Sequence, residues 1–205
     1  SSRKKVGMEY ALSTNTDIYL YDLVSGQTKN VTAPNGGYDT HPRFSPDGKS
    51  LSWISMERDG YEADLKRLFV LDLKTGKKTY LTDGFEYDVD ETVWAPDSKS
   101  IYFLCTKEAE THLWELGLKK RTIRQITSGQ CDYTSVSLRA GKLLAGRQSY
   151  NDPKDLYLVD PHSGKAQQVT AENKSILGDM PNIAVEKRWI KTTDGGNMLV
   201  WVVLP

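Results

Sequence analysis

The sequence predicts an all-β protein that forms part of a β-propeller, with about four blades of four antiparallel strands each. Three observations lead to this prediction. A strand–turn–strand motif occurs four times in the 205 residues, a second hairpin motif follows it, and no convincing amphipathic helix interrupts them. The first motif closes on Thr32, Thr82, Thr127 and Thr170, at intervals of 43 to 50 residues. A period of this length is typical of an array of blades.

The first hairpin of each repeat is clearest in residues 17–32. Asp17 to Leu23 alternates in the way expected of a strand rich in β-forming residues. Ser25-Gly26 then predicts a tight turn, since glycine readily supplies a positive φ, and a second strand returns from Lys29 to Thr32. The same turn recurs at residues 74–77 and 162–165.

The second hairpin begins with a strand over Thr40–Phe44. Ser45-Pro46-Asp47-Gly48 fits a type I turn, because proline presets φ at its second position, and the next strand covers Leu51–Ile54. A copy follows fifty residues later around Ala95-Pro96-Asp97-Ser98, and a degenerate one at residues 135–145. Helical structure is expected at most as a short turn within Glu62–Lys66.

Composition excludes some classes of function. The formal net charge is zero and the sequence pI is about 6.8, which argues against nucleic-acid binding because that requires a strong positive field. No apolar run approaches the roughly 20 residues needed to span a bilayer. Two cysteines, Cys105 and Cys131, make neither a disulfide framework nor a metal site, so we expect them unpaired, with no metal and no cofactor.

Two longer segments and the proline-containing turns carry a family resemblance. The turns at Ser45–Lys49 and Ala95–Lys99 resemble the repeats of TolB-like, WD40-like and prolyl-oligopeptidase-type propellers. Tyr10–Asp22 and Ser55–Asp64 resemble the N-terminal propeller of bacterial prolyl oligopeptidase-family serine peptidases, in the dipeptidyl-peptidase and acylaminoacyl-peptidase branch. The resemblance covers most of the chain, and the insertion after Ser55 is its more specific part.

The C-terminal segment supports this resemblance. Residues 186–193 alternate, Asp194-Gly195 is a strong hairpin signal, and residues 197–204 form a second apolar strand. Trp201 and Pro205 occupy the places where the family pattern has them, at the start of its α/β-hydrolase domain. The expected organisation is therefore a partial propeller over residues 1–180 and a hairpin over residues 181–205 that leads into a hydrolase domain.

The catalytic groups of such a hydrolase are not found in the sequence. Its nucleophile would occupy a G-x-S-x-G motif, and no such motif occurs. His41, His112 and His162 lie in strands or turns of the repeat, which favours structural roles over catalysis. We therefore expect no catalytic residue here and no peptidase activity from this chain alone.

The insertion between Ser55 and Arg67 contains the candidate binding residues. Its length exceeds that of an ordinary hairpin loop, which is often a sign of function. Glu57, Arg58, Tyr61 and Glu62 are the candidate substrate-binding residues, because a carboxylate can pair strongly with the ammonium of a peptide's free N-terminus. The alternative is a solvated loop that packs on its own blade.

A second acidic stretch covers residues 86–91 and matches Tyr38-Asp39 by its place in the repeat. It lacks the aspartate and glycine spacing of a calcium loop. Hydrogen bonds from Asp39 or Asp88 to the backbone within the blade are therefore favoured over calcium binding.

Two functional readings remain open. In the first, the chain is the non-catalytic propeller of a serine exopeptidase similar to dipeptidyl aminopeptidases, which restricts access and contacts the peptide substrate. The second is a stand-alone TolB-like propeller that binds a protein or peptide partner.

The paired glutamates of the dipeptidyl peptidase IV branch are not recognisable, so the cleavage specificity stays open. The resemblance implies export to the periplasm, and the exposed faces of an incomplete ring would permit homo-oligomerisation.

Overall fold

The computed structural model describes residues 2–4 and 7–204, so Pro205 of the C-terminal pattern lies outside the described residues. The described residues contain two short helices, α1 (Met8–Leu12) and α2 (Lys174–Leu177). No helix in the described part is long and apolar enough to cross a membrane. The strands within these ranges are β1 (Ser2–Lys4), β2 (Thr16–Tyr21), β3 (Thr28–Asn30), β4 (Asp39–Phe44), β5 (Ser50–Ser55), β6 (Arg67–Asp72), β7 (Lys78–Tyr80), β8 (Asp90–Trp94), β9 (Ser100–Lys107), β10 (Glu110–Gly117), β11 (Thr122–Gln125), β12 (Asp132–Arg139), β13 (Lys142–Gln148), β14 (Asp155–Val159), β15 (Ala166–Gln168), β16 (Ala184–Lys191) and β17 (Asn197–Leu204).

The strands form successive antiparallel sheets in sequence order. Three sheets have four strands each, β4 to β7, β8 to β11 and β12 to β15, and an earlier sheet has the three strands β1 to β3. Strands β16 and β17 form a separate two-stranded hairpin. Four-stranded sheets built of neighbouring strands are propeller blades, which confirms the predicted partial propeller.

The blades do not begin and end where the sequence repeats do. Each four-stranded sheet takes the second hairpin of one repeat and the first hairpin of the next. The sheet β4 to β7, for example, runs from Asp39 to Tyr80 and crosses the insertion after Ser55. Local periodicity identifies the strands of the repeated hairpins, although not β1, but it cannot say which neighbouring hairpins share a sheet.

Apolar side chains from facing sheets meet in two core clusters. Ile18 and Val31, from the first hairpin, pack with Leu51, Trp53 and Leu71 from the sheet β4 to β7. The second cluster joins that sheet to β8 to β11, and it contains Leu68, Leu81, Val89, Trp94, Ile101, Phe103, Cys105, Trp114 and Leu116. The sheets of unit 1 therefore bury apolar faces against one another, as blades of a propeller do.

The chain divides into two compact units. Unit 1 contains residues 1–105 and 113–125, and unit 2 contains residues 106–112 and 126–205. The insertion lies in unit 1 and the C-terminal hairpin in unit 2.

The short helices of the chain are not the ones that the sequence predicts. The segment Glu62–Lys66 forms turns and no helix, so the suggestion of a helical turn there is wrong. The helices α1 and α2 were not predicted, because four or five residues are too few to show a helical period. Cys105 and Cys131 are both buried.

Candidate functional site

The insertion is an ordered loop that connects β5 to β6. Asp59 attaches it to the segment before β2: its Oδ1 accepts hydrogen bonds from Thr14 N at 2.7 Å and from Ser13 Oγ at 3.0 Å. Gly60 N donates in turn to Thr14 Oγ1 at 2.7 Å. These donors lower the pKa of Asp59, the Ser13 hydroxyl most strongly. Asp59 therefore has a structural role in holding the loop in place.

Arg58 and Asp64 close the loop from within. Arg58 Nε donates to Asp64 Oδ1 at 2.9 Å, Arg58 Nη2 contacts the same oxygen, and Arg58 N donates to Asp64 Oδ2 at 2.7 Å. The guanidinium also lies 3.8 Å from the centre of the Tyr61 ring. The hydrogen bond from Arg58 lowers the pKa of Asp64. Two of the four candidate residues, Arg58 and Tyr61, thus touch one another and set the loop's shape.

The two candidate glutamates face solvent. Glu57 Oε2 lies 3.1 Å from Arg67 Nη1, while 71% of the Glu57 side chain remains exposed. Glu62 is exposed and makes no hydrogen bond or ion pair with any residue that the structure describes. Glu57 and Glu62 are therefore accessible to an external cation, whereas Asp59, although exposed, has its Oδ1 engaged by Ser13 and Thr14.

A cavity of about 190 Å³ lies beside the base of the loop. Its floor is formed by the buried side chains of Ile54 and Met56 and by half-buried Tyr38. Its rim carries His41 and the ion pair between Lys66 Nζ and Asp90 Oδ1, which are 2.7 Å apart. Sequence reasoning missed this cavity, because its lining comes from three strands and the two ends of the insertion.

The insertion lies at one end of the strands of its own sheet. It projects where β4 begins, β5 ends and β6 begins. In the last blade, β12 to β15, the corresponding edge is the one where β15 ends and the chain leaves the sheet.

The acidic stretch before β8 hydrogen-bonds within unit 1. Asp88 Oδ1 accepts from Lys66 N at 2.8 Å, and buried Asp39 accepts from Trp53 Nε1 at 3.1 Å and from Asn35 Nδ2 at 3.0 Å. Burial raises the pKa of Asp39. Among the described residues, no group of three or more His, Cys, Asp or Glu side chains could hold a metal ion.

The C-terminal hairpin in unit 2 is held by polar contacts. Asn151 exchanges two hydrogen bonds with the backbone of Ile183, at 2.8 and 3.1 Å. Lys187 Nζ lies 2.7 Å from Glu108 Oε2, and the ring centre of Trp201 lies 6.0 Å from that of Tyr150. The predicted hairpin is present, with its turn at Asp194-Gly195.

The three histidines occupy structural or surface positions. His112 is buried, its Nδ1 lies 3.3 Å from Thr127 Oγ1, and burial lowers its pKa. His41 is exposed near the start of β4, and His162 lies in the turn after β14. No serine or cysteine appears among the described hydrogen-bond partners of these three histidines, so they show no paired nucleophile and base.

The chain is similar to a known domain family and to two dipeptidyl-peptidases. Residues 5–203 match the model of the TolB beta propeller domain. Over all 205 residues the chain is 64% identical to dipeptidyl-peptidase 5 of Porphyromonas gingivalis and 57% identical to that of Porphyromonas endodontalis. It spans 30% of the length of each of these relatives.

Among solved structures, the chain resembles Pyrococcus horikoshii acylaminoacyl peptidase. The TM-score is 0.73 at 19% identity, and the match covers 93% of this chain and 28% of the peptidase. A structure of putative TolB from Agrobacterium tumefaciens matches with a TM-score of 0.59 at 21% identity, covering 75% of this chain and 56% of the other. These likenesses support the fold, and the sequence relatives confirm the resemblance to peptidase propellers.

Proposed function

Because the chain belongs to the TolB β-propeller domain family, we propose that it is the non-catalytic propeller of a serine exopeptidase similar to dipeptidyl aminopeptidases. The observation that carries this proposal is the 64% identity to dipeptidyl-peptidase 5, which runs through all 205 residues and so includes both the insertion and the C-terminal hairpin. In this role the propeller limits access to the reaction site and contacts the peptide. The serine, histidine and acid of the reaction lie in an α/β-hydrolase domain outside these residues.

The peptide contact is assigned to Glu57, Arg58, Tyr61 and Glu62. Glu57 and Glu62 present accessible carboxylates to the ammonium of a free N-terminus. Tyr61 is 53% exposed and offers apolar surface, and Arg58 beside it keeps 58% of its side chain exposed. The internal Arg58–Asp64 and Asp59–Thr14 contacts support this assignment, because they fix the loop's shape before a peptide arrives.

Kinetics of the longer protein test the contact. Replacing Glu57→Gln and Glu62→Gln together removes both charges at nearly unchanged shape. We expect KM for free-amine peptides to rise about tenfold, as loss of one charge-assisted hydrogen bond implies, while kcat changes little. Glu172→Gln, at an exposed position outside the loop, is the matched control. Unchanged KM in the double variant would contradict the assignment.

The catalytic part of the proposal is tested in two ways. We expect the reading frame that encodes this chain to continue into a G-x-S-x-G motif, followed by an acid and a histidine. We also expect the purified 205-residue chain to release no product from dipeptidyl substrates. Cleavage by this chain that a serine-reactive inhibitor blocks would overturn the proposal.

A stand-alone partner-binding propeller is the second candidate, and the likeness to TolB favours it. In the described residues, however, β16 and β17 pair only with each other, as a hairpin that opens a further domain would do. A propeller that ended here would instead be expected to use its last strand to complete a blade. The peptidase reading accounts for the hairpin better.

Location and partners belong to the same proposal. We place the longer protein in the periplasm or otherwise outside the cytoplasm, with a peptide as substrate and the hydrolase domain as intramolecular partner. Fractionation of cells carrying a tagged copy tests the location, and recovery of the protein with cytoplasmic markers would contradict it.

A further inference from the structure

Short basic turns line one end of the strands in unit 1. They join β4 to β5, β6 to β7, β8 to β9 and β10 to β11, and they cover residues 45–49, 72–77, 95–99 and 118–121. These four segments are called the turn row below. The insertion joins β5 to β6 at the other ends of the same strands, so the turn row lies at the opposite end of the sheet from the insertion.

Hydrogen bonds connect the four turns into one surface. Within each sheet, the second turn donates a backbone N–H to Lys49 O or to Lys99 O, both at 2.9 Å. Between the two sheets, Asp47 N donates to Ser98 Oγ at 3.1 Å. Charges carried by the separate turns are therefore presented together.

The two ends of these strands differ in charge, although the whole chain is formally neutral. The turn row contains seven basic and three acidic side chains, a surplus of four positive charges. The loops at the other end, residues 56–66 and 81–89, contain seven acidic and two basic side chains. Such segregation gives the turn row a positive field that the net charge of the chain conceals.

The acidic and basic groups of the turn row face different partners. Asp72 Oδ1 accepts a hydrogen bond from Thr75 N at 2.8 Å, and Asp97 Oδ1 accepts one from Lys99 N at 3.0 Å. These carboxylates are thus engaged by the backbone of their own turns. The lysines extend into solvent, since 79% of the Lys49 side chain and 82% of the Lys99 side chain are exposed.

The turn at residues 118–121 is the most basic of the four. Lys119, Lys120 and Arg121 follow one another, all three are exposed, and the turn contains no acidic residue. Like charges at this spacing repel one another, and a turn does not require them. This clustering indicates that the charges serve an external anionic partner.

The chemistry of the turn row favours a lipid surface as that partner. Six of its seven cations are lysines, which act as compact point charges and suit the scattered phosphates of lipid head groups. The row contains no aromatic residue. A surface for single-stranded nucleic acid usually stacks bases on aromatic rings, and a protein interface is usually centred on aromatic or arginine anchors.

We propose that the turn row docks unit 1 on an anionic phospholipid surface. The binding is electrostatic and reversible, because it relies on charge and not on inserted apolar chains. The insertion then points away from the lipid, since it lies at the other ends of the same strands. This inference does not depend on the proposed function, because it concerns the opposite end of the sheets and is compatible with both candidate functions.

Flotation of the 205-residue chain with lipid vesicles tests the docking. One set of vesicles contains one part phosphatidylglycerol to two parts phosphatidylcholine, and the other contains phosphatidylcholine alone. We expect the chain to float with the anionic set at low salt and to be released at high salt, because salt screens exposed charges. Failure to bind the anionic vesicles, or equal binding to both sets, would overturn the proposal.

A triple variant in the most basic turn measures the contribution of the row. Lys119→Gln, Lys120→Gln and Arg121→Gln together should lower the partition coefficient on the order of a hundredfold, because each cation near an anionic surface contributes a factor of about five.

The matched control carries Lys154→Gln, Lys174→Gln and Lys191→Gln. It removes the same charge from exposed positions of unit 2, and its partition coefficient should fall less than about tenfold. An equal fall in both triple variants would mean that net charge alone governs binding, and it too would contradict the docking.

A second turn keeps the test independent of how one turn folds. Lys74→Gln with Lys77→Gln, in the turn at residues 72–77, should lower the partition coefficient about twenty-five-fold. Far-UV circular dichroism checks that each variant keeps the strand content of the parent chain. Undiminished binding in both variants of the turn row would show that the row is not the docking surface.

A single-stranded oligonucleotide tests the class of the partner. We expect it to compete poorly with the anionic vesicles at the same salt concentration. If the oligonucleotide instead binds more tightly than the vesicles do, the turn row is a nucleic-acid surface and the proposed membrane docking is wrong.

Discussion

At the residue scale, the threonine that closes each repeat completes the first hairpin. Thr32 Oγ1 accepts a hydrogen bond from Ile18 N at 3.0 Å, and Thr82 Oγ1 accepts one from Leu68 N at the same distance. Thr170 repeats the contact with Leu156 N at 2.9 Å. The threonine thus satisfies a backbone donor where the strand pairing ends, which explains why the repeat closes on this residue.

The residue fifteen positions earlier contacts the same hydroxyl. Thr170 Oγ1 donates to Asp155 Oδ1 at 2.6 Å, and Thr32 Oγ1 lies 3.4 Å from Asp17 Oδ1. His112 takes this place in the third repeat, beside Thr127. The position of His112 is therefore that of a structural polar partner within the repeat.

The replacement Thr32→Val tests the closing hydrogen bond. It leaves the buried Ile18 N–H without its acceptor, so the free energy of unfolding should fall by about 1–3 kcal/mol. Urea denaturation measures the change, and Thr28→Val at an exposed position of β3 is the control. An equal fall in the free energy of unfolding in Thr32→Val and Thr28→Val would mean that the Thr32 hydroxyl has no special role.

An aspartate opens each of three hairpin turns in the same way. Asp22, Asp72 and Asp160 each accept hydrogen bonds through Oδ1 from the next-but-one amide, from the amide after that and from a Ser or Thr hydroxyl. The glycine that follows has a φ near +71° in all three. The amide and hydroxyl of Ser163 contribute most to lowering the pKa of Asp160, to about 2.

This lowered pKa predicts how stability depends on pH. A carboxyl whose pKa is lower in the folded chain adds stability above its ordinary value of 3.8, and loses it as the pH falls through about 2. Asp160→Asn should therefore be less stable than the parent chain at neutral pH. The difference in stability between Asp160→Asn and the parent chain should narrow as the pH falls below 3.8. Thermal unfolding at several pH values measures this difference. A gap independent of pH would contradict the charge-based cause.

At the element scale, two copies of the second hairpin form the same turn with different residues at its left-handed position. Gly48 and Ser98 occupy equivalent places, with φ of +69° and +59°. Ser98 adopts this left-handed conformation despite its Cβ, and its hydroxyl accepts a hydrogen bond from Asp47 N at 3.1 Å. In the degenerate third copy, Ala140 and Gly141 both have positive φ, as in a two-residue turn that joins β12 directly to β13.

Gly48→Ala isolates the cost of the turn conformation. A Cβ at Gly48 would meet no atom within 4 Å, so the whole penalty comes from its positive φ. We expect a loss of about 1 kcal/mol in the free energy of unfolding. Gly36→Ala, which also has open space but no positive φ, should change little.

The packing of the insertion depends on Gly37. A Cβ at that position would lie 2.4 Å from Met56 O and 2.8 Å from Glu57 C, and both are backbone atoms. Gly37→Ala should therefore displace the start of the loop and lower the free energy of unfolding by about 1–3 kcal/mol. Amide chemical shifts of residues 56–66 report the displacement, and their agreement with the parent chain would contradict the predicted clash.

At the scale of the whole molecule, the described sheets are blades of a partial propeller. A blade buries its apolar faces against its neighbours, so an incomplete array retains a tendency to associate. We expect the isolated chain to self-associate reversibly as its concentration rises. Sedimentation equilibrium measures this, and a constant monomer mass at all concentrations would contradict it.

The sequence by itself determined the strands, the turns and the class of fold. Alternation, the Asp–Gly and Pro–Asp–Gly turns and the closing threonines act through neighbours along the chain, so they can be read without a structure. The residues of the C-terminal hairpin were identified in the same way, with its turn at Asp194-Gly195.

Only the tertiary structure decided which hairpins share a blade and which loop charges are accessible. Asp59 bonds to Thr14, 45 residues away, and the cavity combines strands with both ends of the insertion. Arg58 pairs with Asp64, while Glu62 faces solvent. Such contacts depend on how the sheets pack in space, and sequence periodicity, which records only the direction of each side chain along its own strand, does not contain them.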